Sequence, residues 1–206
     1  MKYQIIPTII SRNQKEFDSL FDKYRKYFKI IQIDIMDGKF VKNKSNWFNL
    51  KLNKKCKYEA HLMIDNPEEY IYKNYKKFDV LIANIERIKN PLKLINFAKF
   101  KKKKIGFALN PETSLMHITP YLKYLDRVLI LTVNPGKYGA KLVPKTLEKI
   151  NMLRMMYTND IEVDGHIDLE TLKKCKKEGA NLFAVGSYFK YSKNIKSSIK
   201  ELNKII

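Results

Sequence analysis

Strand and helix patterns alternate along this chain, and the alternation limits the folds that it can adopt. Eight short runs rich in β-branched and aromatic residues each precede a longer stretch with the apolar spacing of a helix. Such repetition is typical of a parallel sheet built from βα units. The predicted strands are Ile5–Ile9, Ile30–Ile35, Tyr58–Met63, Val80–Ala83, Ile105–Leu109, Val128–Val133, Ile161–Val163 and Leu182–Val185.

Capping residues mark several of the predicted helix ends. Asn66 and Asn90 each precede a proline, and Asp168 precedes a first turn that contains Glu170. An Asn or Asp before proline or acidic residues is typical of a helix N-terminus. Gly179 lies before the last predicted strand, where a glycine suits a helix C-terminus.

Eight parallel strands form either a closed barrel or an open, doubly wound sheet. An open sheet of this size usually carries a nucleotide-binding fingerprint after its first strand, and residues 7–11 carry none. The length of 206 residues suits one domain, and no linker rich in Gly, Pro or Ser divides the chain. We therefore predict an α/β fold in which residues 1–206 form a single (β/α)8 TIM barrel.

The net charge of +20 raises the question of a nucleic-acid partner, because clustered basic residues attract phosphates. The lysines, however, are spread along the whole chain. The one dense run, Lys101–Lys104, lies where a predicted helix meets a strand, and a solvated face is the simpler explanation for it. We predict that the protein has no nucleic-acid partner.

The sequence also indicates the cellular compartment of the protein. It has no apolar run of about 18 residues, and its first residues lack the pattern of a secretory signal. Cys56 and Cys175 are the only cysteines and lie far apart, which favours reduced thiols over a disulfide framework. We expect a cytoplasmic protein without a membrane partner.

Polar residues interrupt the second predicted strand at its carboxyl end. Alternation along a strand places Gln32, Asp34 and Met36 on one face, with Ile33 and Ile35 on the other. If the isoleucines pack against helices, the polar face points into the barrel. A carboxylate there costs several kcal/mol unless it is paired, protonated or bound to a metal. Asp34 is therefore a candidate functional residue.

Two further polar residues lie near the carboxyl ends of other predicted strands. His61 ends the third strand and Asp164 the seventh. Taken singly, a structural histidine and a helix-capping aspartate are ordinary interpretations. Converging at one barrel mouth, these two side chains with Asp34 and the Gln32 amide have the N and O atoms to hold a divalent cation. Two carboxylates on opposite faces of a carbon beside a carbonyl suit an epimerase.

Glycine-containing turns follow the sixth and eighth predicted strands. Gly136 and Gly139 lie in the first turn, and Gly186 precedes Ser187 in the second. Glycines let main-chain N–H groups approach an anion, although tight turns use the same residues. Phosphate binding at this end of a barrel is a recurring arrangement.

Several of these segments, in this order, resemble the ribulose-phosphate 3-epimerase family over nearly the whole chain. The Asp-x-Met-Asp-Gly and Thr-Val-x-Pro-Gly motifs are highly specific when they occur together. The resemblance implies a barrel of the ribulose-phosphate-binding type. The matching segments are Ile6–Ile10, Ile33–Val41, Ala60–Met63, Ala108–Thr113, Leu131–Gly136, Ile161–Gly165 and Val185–Ser187.

The resemblance implies roles for individual residues. Asp34 and Asp164 are the expected acid/base pair and, with His61, metal ligands, while Gln32 stands where the family has a histidine ligand. The metal is expected to be one divalent ion among Zn, Fe, Mn, Co and Mg. The residues expected to contact the substrate or its phosphate are Thr8, Met36, His61, Met63, Gly136, Lys137, Tyr138, Gly139, Gly165, His166, Gly186 and Ser187.

The implied activity is interconversion of D-ribulose 5-phosphate and D-xylulose 5-phosphate, with a small-molecule sugar phosphate as partner and a homo-oligomeric assembly. His166 replaces a usual glycine, and Lys137-Tyr138 replaces a usual Phe-Gly. These differences keep a hexulose-6-phosphate 3-epimerase and a weakened sugar-phosphate-binding paralogue as alternatives. Two retained buried carboxylates argue against a pure binding protein.

Overall fold

Nine strands form one sheet in the computed structural model, which describes residues 2–135 and 140–206. The parallel pairing of the first strand with both the second and the last closes eight strands into a barrel, and the short third strand pairs antiparallel with the end of the second. The strands are β1 (Gln4–Ile9), β2 (Ile30–Asp37), β3 (Lys44–Ser45), β4 (Lys57–Met63), β5 (Val80–Asn84), β6 (Lys104–Leu109), β7 (Arg127–Leu131), β8 (Asp160–Asp164) and β9 (Leu182–Val185).

Helices connect most of these strands and pack on the outside of the barrel. The α-helices are α1 (Gln14–Tyr24), α2 (Pro67–Asn74), α3 (Pro91–Phe100), α4 (Lys145–Met156), α5 (Leu169–Lys177), α6 (Ser187–Lys190) and α7 (Ile195–Asn203). Short 3-10 helices lie at Tyr75–Lys77, Ile85–Arg87, Leu115–His117 and Thr119–Tyr124. The predicted (β/α)8 TIM barrel is confirmed. None of the helices in the described ranges combines the length and apolar character needed to cross a bilayer.

Two of the eight predicted helical stretches are wrong. The chain between β2 and β4 forms β3 and loops, and only 3-10 helices lie between β6 and β7. The first of these connections contains Asn43, Asn46, Asn49 and Asn53, and asparagine side chains compete with helical hydrogen bonding. The sixth predicted strand is also two residues too long, because it ends at Leu131.

The predicted helix ends are mostly correct. The side chains of Asn90 and Asp168 accept hydrogen bonds from main-chain N–H groups in the first turns of α3 and α5. Asn66 precedes α2 as predicted but makes no such side-chain bond. Gly179 follows α5 with φ +107°, a conformation that favours glycine.

Two of the apolar clusters lie on either side of the barrel wall. Ile33 and Ile35 of β2 are fully buried in the large cluster between strands and helices, which confirms the predicted outward face of that strand. A smaller cluster fills the barrel interior with Ile82, Ala108 and Leu129. Apolar burial of this kind stabilises the fold by about 1.5–3 kcal/mol for each large side chain.

The lower interior of the barrel holds a buried ionic group, here called the Arg127 cluster, formed by Arg127, Glu59 and Glu162. Arg127 Nη1 lies 2.6 Å from Glu59 Oε2 and 2.7 Å from Glu162 Oε2. Burial and the neighbouring Glu59 raise the pKa of Glu162 well above its usual range, although Arg127 opposes the shift. Gly106 leaves the space for this arginine, since a Cβ there would stand 2.7 Å from Arg127 Cγ.

We predict that Arg127→Met destabilises the protein by about 3 kcal/mol or more, because it leaves two buried carboxylates without their cation. The free energy of unfolding, measured by urea denaturation at pH 7, tests this prediction. Arg12→Met is the matched control, since Arg12 forms an exposed pair with Glu16 whose loss costs at most about 1 kcal/mol. Equal effects of the two substitutions would contradict a structural role for the Arg127 cluster.

Candidate active site

Strand register brings the predicted acids and histidine to one end of the barrel. Asp34 of β2 is paired with His61 of β4, and Asp164 of β8 is paired with Leu131 of β7. These positions lie at or near the carboxyl ends of their strands, where barrel enzymes carry their reactive groups. Gln32 lies one inward position below Asp34, beside Thr8 of β1.

Gln32 links the two carboxylates directly. Its Nε2 atom donates to Asp34 Oδ1 and to Asp164 Oδ2, each over 2.6 Å. His61 Nδ1 faces the same two oxygen atoms at 3.4 Å and 3.3 Å, without hydrogen-bond geometry. Two acids that are 130 residues apart in the sequence therefore share one amide and one imidazole.

The surroundings of these groups change their affinity for protons. Burial and the nearby charge of Asp164 raise the pKa of Asp34 to about 6, against the effects of His61 and Gln32. Burial alone would lower the pKa of His61, but attraction to Asp164 and Asp34 outweighs it and raises that pKa to about 10. Perturbed groups clustered in a cleft are typical of catalytic sites.

A cavity opens above this group, and most of the predicted substrate residues line it. Gln32 and His61 form the buried floor and do not line the cavity wall. Gly136, Lys137, Tyr138 and Gly139 lie outside the described residues. The predicted residues that line the cavity are Thr8, Asp34, Met36, Met63, Asp164, Gly165, His166, Gly186 and Ser187.

The wall of the cavity after β8 has an unusual backbone. Gly165 has φ +115°, and a Cβ there would stand 2.5 Å from Val133 Cγ2, so this position requires glycine. His166 follows with φ +53°, a left-handed conformation that few non-glycine residues adopt. Its imidazole is partly exposed, and Nε2 lies 3.7 Å from Asp168 Oδ2.

Two residues that support the site were not predicted from the sequence. Asn46 donates to the main-chain oxygens of Ile9 and Asp34, and its own Oδ1 accepts the hydroxyl of Ser11. The carboxylate of Asp37 accepts three main-chain N–H groups, including that of Asp65. The Asp-x-Met-Asp-Gly motif was the available signal for Asp37, whereas nothing local marked Asn46.

The side chains on the cavity floor fit a divalent cation. Asp34, His61 and Asp164 each offer a ligand atom, and these atoms lie within 4.8 Å of one another. Both ring nitrogens of His61 and the Oε1 atom of Gln32 are buried without a hydrogen-bond partner. Buried polar atoms without partners are costly, and ligation of an ion would satisfy the Gln32 oxygen and one of the two His61 nitrogens.

The fold and this site define a barrel enzyme with two carboxylates and an imidazole at the carboxyl ends of its strands. Residues 4–190 match the Ribulose-phosphate 3 epimerase family, and the chain belongs to that family. Ribulose-phosphate 3-epimerases of Chlamydia muridarum and Aquifex aeolicus are each 32% identical to it, over 82% and 86% of this chain and 81% and 84% of their own lengths. The predicted isomerase class is confirmed.

Solved structures agree with the fold. The 3-hexulose-6-phosphate synthase of Salmonella typhimurium superposes with a TM-score of 0.70 at 14% identity, covering 100% of this chain and 98% of that one. A tryptophan synthase alpha-subunit of Pyrococcus furiosus also gives a TM-score of 0.70 at 14% identity, covering 100% of both chains. At this identity the likeness concerns the barrel alone.

We predict that the stability supplied by His61 depends on pH. Its pKa rises on folding from 6.5 to about 10, so the folded state holds the proton more tightly. The resulting stability is fully present below about pH 6.5 and is lost as the pH rises through about 10. In metal-free protein, His61→Asn should therefore lower the free energy of unfolding at pH 7 by at least about 1 kcal/mol more than at pH 10. Equal losses in urea denaturation at the two pH values would contradict the raised pKa.

Proposed function

We propose that this protein is a metal-dependent 3-epimerase that interconverts D-ribulose 5-phosphate and D-xylulose 5-phosphate. The observation that carries the proposal is the pair of carboxylates, Asp34 and Asp164, held together on the cavity floor by Gln32. Membership of the family supports the substrate, since relatives named for ribulose phosphate match most of the chain. The predicted cytoplasmic location and homo-oligomeric assembly stay predictions.

The two carboxylates perform the proton transfer. One of Asp34 and Asp164 removes the proton from C3, and the electron pair of the broken C–H bond moves into the enediolate formed with the C2 carbonyl. The other carboxyl group then delivers a proton to the opposite face of C3 and re-forms the carbonyl. The two residues exchange roles in the reverse direction, so no redox cofactor is required.

The raised pKa of Asp34 suits this task. A carboxyl group with a pKa of about 6 is present in both protonation states near neutral pH, so it is able to give and to receive a proton. The thioethers of Met36 and Met63, paired across β2 and β4, cover the reacting carbon and exclude water. Exclusion of water protects the enediolate from stray protonation.

The opposite wall of the cavity binds the phosphate. Gly165, Gly186 and Ser187 line this wall with little side-chain bulk, beside His166. We expect their main-chain N–H groups to donate to the phosphate oxygens. The partly exposed imidazole of His166 is placed to contact a phosphate oxygen. Gly136, Lys137, Tyr138 and Gly139, outside the described residues, are proposed to complete this wall.

Asp34, His61, Asp164 and Gln32 would hold the metal ion. A bound divalent ion supplies positive charge that stabilises the enediolate oxygens. With Gln32 as a ligand the set has three oxygen atoms and one nitrogen, a composition that favours manganese or magnesium over zinc. The metal-ligand set of this chain therefore differs from one that contains two imidazoles.

We expect the purified protein to incorporate deuterium at C3 of ribulose 5-phosphate in deuterated water while forming xylulose 5-phosphate. Asp34→Asn and Asp164→Asn should each lower the epimerisation rate at least about a hundredfold, because each removes one proton carrier. Asp22→Asn, which removes an exposed carboxylate paired with Arg25, is the matched control. A near-normal rate in either active-site variant would remove that residue from the mechanism. Exchange with allulose 6-phosphate alone would favour the hexulose-phosphate alternative.

Restoring a histidine at position 32 should change the metal preference. Gln32→His replaces an amide with an imidazole and should tighten zinc about tenfold or more relative to manganese, since imidazole is the better zinc ligand. Calorimetric titration of both ions into metal-stripped wild type and variant measures the change. Unchanged relative affinities would mean that position 32 does not face the metal.

A further inference from the structure

We propose that the Gln32 carboxamide is a two-position switch that couples the metal site to the Arg127 cluster below it. Without metal, its nitrogen holds the two catalytic carboxylates together. With metal, the amide turns, so that its oxygen faces the ion and its nitrogen donates to Glu59. The inference rests on the proposed metal site and adds Glu59 to it as a positioning residue.

The metal-free orientation follows from the two acids. Gln32 Nε2 lies 2.6 Å from one oxygen of Asp34 and 2.6 Å from one oxygen of Asp164. An amide oxygen in that place would face two carboxylate oxygens at the same distance and would be repelled by both. The NH2 group instead supplies one N–H to each acid, which uses both of its donors.

A divalent ion reverses this preference. The same two carboxylate oxygens belong to the set that would hold the ion, and an NH2 group aimed at them would then point its hydrogens towards a cation. A rotation of about 180° about the terminal side-chain bond exchanges oxygen and nitrogen without moving the main chain. The amide oxygen then becomes a ligand, and the NH2 group points away from the metal.

The turned NH2 group has an acceptor available. Glu59 is the register partner of Gln32 on the neighbouring strand, and both side chains are fully buried inside the barrel. Gln32 Oε1 and Glu59 Oε1 are both buried without a hydrogen-bond partner. Turning the amide satisfies both atoms, because one becomes a metal ligand and the other accepts an N–H.

The Arg127 cluster leaves this oxygen of Glu59 unused. Arg127 Nη1 binds Oε2 of Glu59 and Oε2 of Glu162, so each acid keeps its Oε1 atom free of that contact. Glu162 is not a register partner of Gln32, since its neighbours are Leu129 and Leu182. The geometry therefore singles out Glu59 as the residue that receives the turned amide.

The test is a double-mutant cycle in which manganese affinity is the readout. Glu59→Leu removes the acceptor and leaves the Arg127–Glu162 pair intact, so the variant keeps a balanced buried charge. We expect it to weaken Mn²⁺ binding about tenfold in calorimetric titration, the effect of one hydrogen bond to a charged group. Glu162→Leu, which leaves the Arg127–Glu59 pair, is the matched control and should change affinity by no more than about twofold.

The second arm of the cycle uses Gln32→Leu, which has no amide to turn. In that background Glu59→Leu should change Mn²⁺ affinity by no more than about twofold, because the coupling between the two residues is gone. An equal loss with or without Gln32 would show that Glu59 acts only through the general structure and would overturn the switch. Wild-type protein that binds no Mn²⁺ would overturn the metal site itself, whereas metal binding unaffected by Glu59→Leu would overturn the switch alone.

Side-chain NMR gives an independent readout. The chain has three glutamines, Gln4, Gln14 and Gln32, so labelling glutamine side-chain nitrogens gives three NH2 signals. Adding the diamagnetic ion Mg²⁺ should move the Gln32 signal and leave that of Gln14 in place, since Gln14 bonds to Asp18 on the outer surface. An unmoved Gln32 signal at saturating Mg²⁺ would overturn the proposed rotation.

Discussion

Closure of the barrel is the constraint on which the site depends. Because β1 pairs with both β2 and β9, the inward side chains of eight strands share one narrow interior. Asp34 and Asp164 lie on strands separated by β9 and β1, and the curvature of the closed sheet brings their carboxylates to a single amide nitrogen. An open sheet with the same strand order would hold them several strand spacings apart.

Two pairs of acids are buried in the barrel interior, and both pairs are held by the same arrangement at two levels. In each case two carboxylates share one nitrogen atom, Arg127 Nη1 below and Gln32 Nε2 above. The lower nitrogen carries a permanent positive charge, so that level is a stable structural element. The upper nitrogen is neutral, and the cation that faces these carboxylates is instead the imidazole of His61, which is able to release its proton and to bind a metal. The guanidinium thus gives the lower pair of acids a structural role, whereas the amide leaves the upper pair able to react.

The fold and the acids could be predicted because they depend on local pattern. Alternation in β2 was enough to place Asp34 inward. The motifs around His61 and Asp164 matched those of the ribulose-phosphate 3-epimerase family. The Arg127 cluster could not be predicted in this way, because its members are 68 and 35 residues apart and meet only through strand register. The orientation of the Gln32 amide could not be predicted either, since it depends on which atoms of Asp34 and Asp164 it faces. Loop residues such as Asn46 act through main-chain contacts that leave no pattern in the sequence.

Asn46 ties together the two strands at which the barrel closes. Its NH2 group bonds to the carbonyl of Ile9 in β1 and to that of Asp34 in β2, and the whole side chain is buried. Asparagine is also prone to slow deamidation, which converts its amide to a carboxylate. At this position hydrolysis would replace two donated hydrogen bonds with a negative charge against two carbonyl oxygens. Closure of the barrel between β1 and β2 is therefore sensitive to the chemical loss of one amide.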